Sequence, residues 1–324
     1  MDEHGRKIEV FAPFGAAFDL TKLILFQPFD LAKWLAIGFA AFLAMLGGSG
    51  GGNGFNFNPG NGDWKYRSST RDGMGLGDGM PAWLIPLIVV VVLLVIALAI
   101  LCAWVGSRGR FMFTDCIVRN RGAIVEPWNE FKREGNSFCL FWLAGGVTLL
   151  VIGAGASAPI WLPVLLGREM PEGVVLVLEL VSIGLLIVAL LVTWSLVTGF
   201  MVPVMYRQRC RAWEAMQTVL RTIAANPVPV ILYALFRLVL GVAIAMIACV
   251  ATCATCCLAA IPYVGTVILL PLYVLMMSYL LLFVRQFGPE FDAWGNLIAP
   301  PAASPVQEPP SPEPPPAGPP PLPA

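Results

Sequence analysis

Charged residues are scarce in this chain of 324 amino acids, because Asp, Glu, Lys and Arg together make up only 12% of it. In soluble domains about a quarter of all residues are charged. Hydrophobic residues reach 58%, so this shortage excludes an ordinary soluble fold and indicates an integral membrane protein. The formal net charge is zero. Nothing in the overall charge therefore predicts a nucleic-acid partner.

Histidine is scarcer still, since His4 is the only one in the sequence, and we interpret it as a solvated terminal residue. The sequence also lacks a nucleophile–base pair, a zinc-binding helix motif and a Walker phosphate-binding loop. These absences favour a non-enzymatic protein without a cofactor. The charged N-terminus is not followed by an apolar segment with a small-residue cleavage site, which predicts no cleaved signal peptide.

Long apolar segments are what the sequence does contain. A hydrocarbon core about 30 Å thick needs roughly 20 helical residues to cross it, and lipid offers the backbone no other partner than the helix itself. We predict an all-α polytopic transmembrane bundle with six spans, at residues 31–46, 81–105, 138–158, 174–203, 238–260 and 266–284. Residues 1–287 form the predicted membrane domain, which includes a glycine-rich external loop at 47–80. Residues 288–324 are predicted to be a disordered, proline-rich tail.

The basic residues predict the orientation of these spans. With the N-terminus in the cytoplasm, sixteen of the twenty Lys and Arg residues fall on the inner side, as the positive-inside rule requires. The four external ones are Lys65, Arg67, Arg71 and Arg168. Both termini are therefore predicted to be cytoplasmic.

Three short amphipathic segments precede the first, third and fifth spans. The clearest is AWEAMQTVLRTIAANP, in which Trp213, Met216, Leu220 and Ile223 share one face at helical spacing. Looser copies are AAFDLTKLILFQPFDLAKW and EPWNEFKREGNSFCLFW. The pattern predicts three units, each an interfacial helix followed by two spans. Ordinary loop helices packed against the bundle are the alternative interpretation.

The segment CVATCATCC, at 249–257, holds half of the eight cysteines. Cys249, Cys253 and Cys256 share a helix face and could meet Zn²⁺ or Cu⁺, but that helix offers no His, Asp or Glu to complete a site. Small side chains in a row favour close helix packing in lipid. We predict no metal site and instead a packing seam, which leaves a homo-oligomer open; its members are Gly241, Ala245, Cys249, Cys253 and Cys257.

Two other groups of polar residues are candidates for function. Glu179 lies inside the fourth span near its external end, where an ionisable group indicates either an ion pathway or contact with water and Arg168. Asp115 lies among arginines in RGRFMFTDCIVRNRG. A structural salt bridge is one interpretation; the other is contact with lipid headgroups by Arg108, Arg110, Arg119 and Arg121.

Several blocks of the sequence resemble an uncharacterised bacterial multi-pass membrane family. They are QPFDLAKWLAIGF, RGRFMFTDCIVRNRGAIVEPWNEFKREGNS and IPYVGTVILLPLYVLMMSYLLLFVRQFGPEFDAW, within residues 14–294. More remotely, the layout is similar to the membrane domain attached to some glycerophosphoryl diester phosphodiesterases. The resemblance implies a bacterial inner-membrane setting. It implies no catalytic residues, because the soluble phosphodiesterase barrel is not present.

The leading hypothesis is a non-enzymatic, membrane-organising or lipid-contacting protein whose partner is the lipid bilayer, with protein partners left open. A transporter or channel for a small solute or ion is the alternative. It rests on six spans, on Glu179 and on helix-breaking prolines at 159, 163, 203 and 271. An enzyme acting on lipid is a third hypothesis.

Overall fold

The structure is a computed structural model that describes residues 8–47, 83–167, 173–255 and 261–298. Within those ranges all regular structure is helical, as predicted. The α-helices are α1 Ala12–Phe26, α2 Leu31–Leu46, α3 Leu84–Val118, α4 Val125–Glu130, α5 Lys132–Ala156, α6 Ala158–Leu165, α7 Val174–Gln208, α8 Ala212–Ala225, α9 Pro227–Ala254, α10 Pro262–Ile268, α11 Leu270–Val284 and α12 Gly295–Ile298. Most of the predicted external loop lies outside the described residues.

Five helices are long and apolar enough to cross a membrane. They are α3, α5, α7, α9 and α11 with the 3₁₀ turn that follows it, and they fit a multi-pass membrane protein. The first predicted span corresponds to α2, whose 16 residues extend for about 24 Å, less than the hydrocarbon thickness of about 30 Å. The last predicted span is divided at Leu269 into α10 and α11.

The two longest helices are exposed in one half and buried in the other. α7 has no buried residue before Val197 and is then buried through Tyr206. α3 is exposed through Leu101 and buried from Gly106 to Val118. The second span is predicted to end at residue 105, but the helix continues to Val118, and its residues from 106 onward pack against protein. The exposed apolar halves require lipid around them.

α11 lies at the centre of the buried half. Its residues from Tyr273 to Leu281 are all buried. The Tyr233 ring of α9 stacks on Phe283 with centroids 4.3 Å apart, and the Tyr279 hydroxyl donates a hydrogen bond to the Val10 carbonyl over 3.1 Å. These contacts join α1, α9 and α11 at the end of the bundle where α3, α7 and α11 finish. We call it the arginine-rich end, because Arg119, Arg121, Arg207, Arg209 and Arg285 lie there.

α2 packs very closely against the buried half of α3. A methyl group on Gly106 would lie 2.1 Å from the Gly47 nitrogen, and one on Gly109 would lie 2.6 Å from the Ala44 nitrogen. No side chain larger than hydrogen fits at either position. This contact is a small-residue helix seam of the kind found in membrane proteins, and sequence analysis missed it.

The predicted short helices precede α2, α5 and α9, and they are α1, α4 and α8. α8 buries Ala212, Ala215 and Val219 against the bundle. The predicted apolar face is divided: Met216 and Ile223 pack against the core, whereas Trp213 and Leu220 remain 62% and 43% exposed. α8 therefore combines a packed face with an apolar flank that no described residue covers.

The described chain remains packed beyond residue 287, where sequence analysis placed the end of the membrane domain. The chain continues through a second 3₁₀ turn, Pro289–Phe291, and packs as far as α12, with Phe291 and Ala293 buried. Asp292 pairs with Arg285 over 3.2 Å. Aromatic burial and this ion pair hold the segment on the arginine-rich end. The proline-rich part from 299 onward lies outside the described residues.

Candidate functional site

Asp115 is the centre of an ion-pair network at the arginine-rich end. Its carboxylate is fully buried and lies 3.0 Å from Arg119 Nε and 3.1 Å from Arg121 Nη2. The Tyr206 hydroxyl of α7 donates to Asp115 Oδ1 over 2.9 Å. A buried carboxylate needs such partners. The network therefore joins the ends of α3 and α7, as the structural interpretation of Asp115 predicts.

Glu130 extends the network to the segment that follows α7. Its carboxylate accepts from Arg119 Nη2 over 3.0 Å and forms a close ion pair with Arg209. Burial alone would raise the pKa of Glu130, but the hydrogen bonds and charges of Arg209 and Arg119 outweigh it and hold the pKa below its usual value. The Arg209 guanidinium also lies 3.9 Å from the centre of the Phe131 ring.

Arg108 is held between aromatic rings and an amide. Its guanidinium lies 4.4 Å from the Trp104 ring and 5.1 Å from the Trp128 ring. Its Nη2 donates to Asn136 Oδ1 of α5 over 3.0 Å. Such cation–π contacts are favourable at partly desolvated positions. Arg108 therefore links α3, α4 and α5.

Arg110 has a different environment from the other three arginines. Its side chain is only 5% exposed, and Nη2 makes a long hydrogen bond of 3.3 Å to the Gly47 carbonyl. Nε and Nη1 are buried, and neither has a hydrogen-bond partner in the described chain. The Phe138 ring centre lies 5.1 Å from the guanidinium carbon. Arg110 therefore retains unused donors in an apolar environment.

Sequence analysis named Arg108, Arg110, Arg119 and Arg121 as candidate contacts of lipid headgroups. The structure places them in three different environments, and a headgroup contact remains a prediction. Arg119 and Arg121 are paired with Asp115, Glu126 and Glu130, while Arg108 lies between tryptophans. Successive residues of an α-helix are about 100° apart around its axis, so Arg108 and Arg110, two positions apart on α3, point to different neighbours.

A cavity of about 50 Å³ lies beside Arg110, between α2, α3, α7 and α11. Apolar side chains such as Ala41, Phe113 and Met277 form most of its wall, and Thr198 and Tyr273 also line it. The Thr198 hydroxyl already donates to the Trp194 carbonyl over 2.7 Å. The cavity thus pairs an apolar wall with a cationic group that lacks a counter-ion among the described residues.

The comparisons with known proteins identify a family but no activity. The model of a family of unknown function, DUF7544, matches residues 9–288. The chain belongs to this family. It matches no curated protein and no solved structure.

The DUF7544 match includes every candidate site residue discussed above and confirms the prediction of an uncharacterised family. The resemblance to the membrane domain of glycerophosphoryl diester phosphodiesterases has no support from these searches and remains a prediction. Because the family has no assigned activity, the function of this chain has to be argued from its own residues.

Glu179 lies in the exposed half of α7 and is itself half-buried. Its Oε2 is buried and has no hydrogen-bond partner in the part of the chain that the structure describes. Arg168, the predicted alternative partner, lies outside those residues. The position fits an intramembrane ionisable group, and its role remains a prediction.

Most described members of the predicted seam on α9 are not covered by other described residues. Gly241 is buried, but Ala245, Cys249 and Cys253 are exposed, and α9 instead buries Ile244 and Ala248. Cys257 lies outside the described residues. Both the packing seam and the homo-oligomer remain predictions.

The described residues contain no group of three His, Cys, Asp or Glu side chains close enough to hold a metal ion, although Cys256 lies outside them. Sequence reasoning missed Glu130, Tyr206 and Asn136, whose roles depend on contacts between different helices. One signal in the sequence could have located this end of the bundle. An arginine follows each of the three helices α3, α7 and α11 directly.

Proposed function

We propose that this chain is a non-enzymatic, lipid-contacting protein of the bacterial inner membrane, and that it holds its arginine-rich end against the inner leaflet. Both termini and the helices α1, α4 and α8 would then lie on the cytoplasmic side. The exposed apolar halves of α3 and α7 support a position in lipid, and the uneven distribution of Lys and Arg supports the orientation.

The observation that carries this proposal is the uncovered apolar flank of α8. Trp213 and Leu220 are exposed beside a polar face that includes the exposed Glu214 and Gln217. Tryptophan favours the boundary between headgroups and acyl chains. A helix with one face packed on protein, one apolar flank and one polar face suits that boundary.

α1 provides a second surface of the same kind. Phe18 and Phe26 are about half exposed, and the Lys22 ammonium lies 4.4 Å from the centre of the Phe18 ring. A lysine above an aromatic side chain can reach headgroup phosphates while its stem covers apolar surface. Two separate helices would therefore contact the inner leaflet.

Fluorescence quenching by brominated lipids tests the proposal. The protein is placed in vesicles whose lipids carry bromine near the top of the acyl chain, where bromine quenches the fluorescence of any tryptophan that contacts lipid. The Trp213→Phe variant should show less quenching than the wild type. The matched control is Trp294→Phe, because Trp294 packs against the core and lies 5.8 Å from the Arg285 guanidinium. Equal quenching in wild type and Trp213→Phe would contradict contact between α8 and lipid.

A transporter or channel for a small solute or ion is the alternative, and the buried, unpaired Glu179 Oε2 favours it. A proton or cation that passes through the exposed half of α7 would use this carboxylate. Flux into proteoliposomes that stops in Glu179→Gln would support transport. Absence of flux over a broad panel of ions and solutes would leave the lipid-contacting function as the better account.

A further inference from the structure

Arg110 is a buried cation whose charge is not compensated by the residues around it. No described carboxylate forms an ion pair with it, and two of its nitrogens lack a hydrogen-bond partner in the same part of the chain. An isolated buried charge is strongly unfavourable unless something pairs with it. The carboxylates of Asp115, Glu126 and Glu130 are already paired with Arg119 and Arg121.

A second guanidinium, that of Arg237, lies close to one residue of the cavity wall. A methyl group on Gly199, which lines the cavity, would lie 3.4 Å from Arg237 Nη1. That nitrogen is also buried and without a hydrogen-bond partner among the described residues. Arg237 is near the Tyr233 hydroxyl, which shares a side-chain hydrogen bond with it. Arg237 does not itself line the cavity, so the charge at the described wall is that of Arg110 on α3.

The size of the cavity limits what it can hold. Its volume of about 50 Å³ corresponds to roughly three to five water positions at about 10–15 Å³ each. A tetrahedral oxyanion has four oxygens and occupies a similar number of positions. Water alone would leave the charge of Arg110 without a counter-ion, whereas one oxyanion satisfies both its charge and its free donors.

We propose that this cavity binds the oxyanion group of an anionic lipid, with Arg110 as the counter-ion and the apolar wall beside the acyl chain. The oxyanion is the chemistry that a lipid headgroup shares with free inorganic phosphate. The apolar wall, which includes Met45 and Leu280, favours the lipid. The inference rests on the proposed function, because it requires the arginine-rich end to face an anionic leaflet.

Arginine suits this role better than lysine. Its planar group presents parallel N–H donors to two oxygens of one phosphate. Arg110 Nη2 carries two N–H groups and uses one of them for the Gly47 carbonyl. Its other N–H, together with the free Nε or the free Nη1, is the parallel pair that such a contact would use. Arg119 is the natural control, because its guanidinium belongs to the same basic segment but is already paired with Asp115 and Glu130.

Native mass spectrometry of the detergent-purified, delipidated protein tests the site. Phosphatidylglycerol, phosphatidylcholine and inorganic phosphate are added separately to wild type, Arg110→Gln, Arg110→Lys and Arg119→Gln. We expect phosphatidylglycerol to bind at least about tenfold more weakly to Arg110→Gln, since a charge-assisted hydrogen bond corresponds to about that factor or more. Arg119→Gln should bind as wild type does, and Arg110→Lys should fall between.

Each other outcome has a defined meaning. Arg110-dependent binding of inorganic phosphate as tight as that of phosphatidylglycerol would support the oxyanion site and assign it to a free anion. Equal binding of both lipids, or phosphatidylglycerol binding that Arg110→Gln does not change, would overturn the proposal. If Arg110→Gln fails to fold, Ala44→Leu narrows the cavity and retains the arginine; undiminished binding there would also overturn it.

The proposed function can fail separately from this site. Quenching of Trp213 by brominated lipid does not involve Arg110, so a lost lipid site with normal quenching rejects only the cavity proposal. Absence of quenching in wild type rejects the wider function, whatever the mass spectra show.

Discussion

Replacement of Asp115 by asparagine should destabilise the chain more than any other change of one charged group at the arginine-rich end. The substitution keeps the size of the side chain but removes the negative charge that Arg119 and Arg121 contact over 3.0 and 3.1 Å. It also weakens the acceptor of the Tyr206 hydroxyl, 2.9 Å away.

The expected loss of stability depends on how deeply each side chain of these ion pairs is buried. Removal of one partner from a fully buried pair costs about 3–5 kcal/mol. Asp115 is fully buried, but the side chains of Arg119 and Arg121 are 26% and 30% exposed, so water and nearby glutamates relieve part of that cost. A hydrogen bond to a charged acceptor adds about 1.5–3 kcal/mol. We expect a total loss of about 2–4 kcal/mol in the free energy of unfolding.

Unfolding by SDS in mixed micelles, followed by circular dichroism, measures this loss. The control is Asp292→Asn, because the Arg285–Asp292 pair has side chains that are 47% and 18% exposed and should be worth less than about 1 kcal/mol. If the two variants unfold at the same SDS fraction, the Asp115 network does not join α3 to α7 in the manner described.

Three further experiments test other parts of the account. Gly106→Val should destabilise the α2–α3 contact by about 3 kcal/mol or more, because a methyl group already lies 2.1 Å from backbone; Gly153→Val, with open space around it, is the control for SDS unfolding, and equal losses would contradict the seam. Because the pKa of Glu130 is lower in the folded state than its usual value of 4.5, ionised Glu130 stabilises the fold fully above pH 4.5. This stabilisation is lost as the pH falls through the pKa of the folded state. The difference in melting temperature between wild type and Glu130→Gln should therefore shrink below that pH, and a constant difference from pH 7 to 3 would be contrary evidence. In lipid vesicles Cys253 should react with a membrane-soluble maleimide and not with a charged one. If a second chain covers it, neither reagent should react, and disulfide-linked dimers through Cys253 would support the α9 seam between chains.

The fold class could be predicted from the sequence because lipid permits few backbone arrangements. Apolar runs such as the one in α3 must be helical wherever they meet hydrocarbon. The short helices α1, α4 and α8 also followed from periodicity and from the breaks after them. Periodicity could not predict that α3 ends at Val118. Charged residues in a helix can either face water or pack against protein, and the sequence alone does not distinguish the two.

The site was less accessible to sequence reasoning than the fold. The four arginines of one segment looked equivalent, yet their roles depend on partners from distant elements. Asn136 and Trp128 hold Arg108, whereas Glu130 and Arg209 complete the pairing around Arg119. The unpaired state of Arg110 follows from the position of the α2–α3 seam and of α11. A row of small residues likewise does not show which partner it packs against, because that depends on the element that faces α9.

Cysteine accessibility in intact bacteria tests the central claim, that the arginine-rich end faces the cytoplasm across a membrane, most directly. In a chain whose native cysteines are replaced by alanine, Ser68→Cys in the glycine-rich loop and Gln217→Cys on the exposed face of α8 are each exposed to a membrane-impermeant maleimide. The account predicts labelling at position 68 in intact cells and at position 217 only after permeabilisation. Labelling at position 217 in intact cells, with position 68 protected, would contradict it.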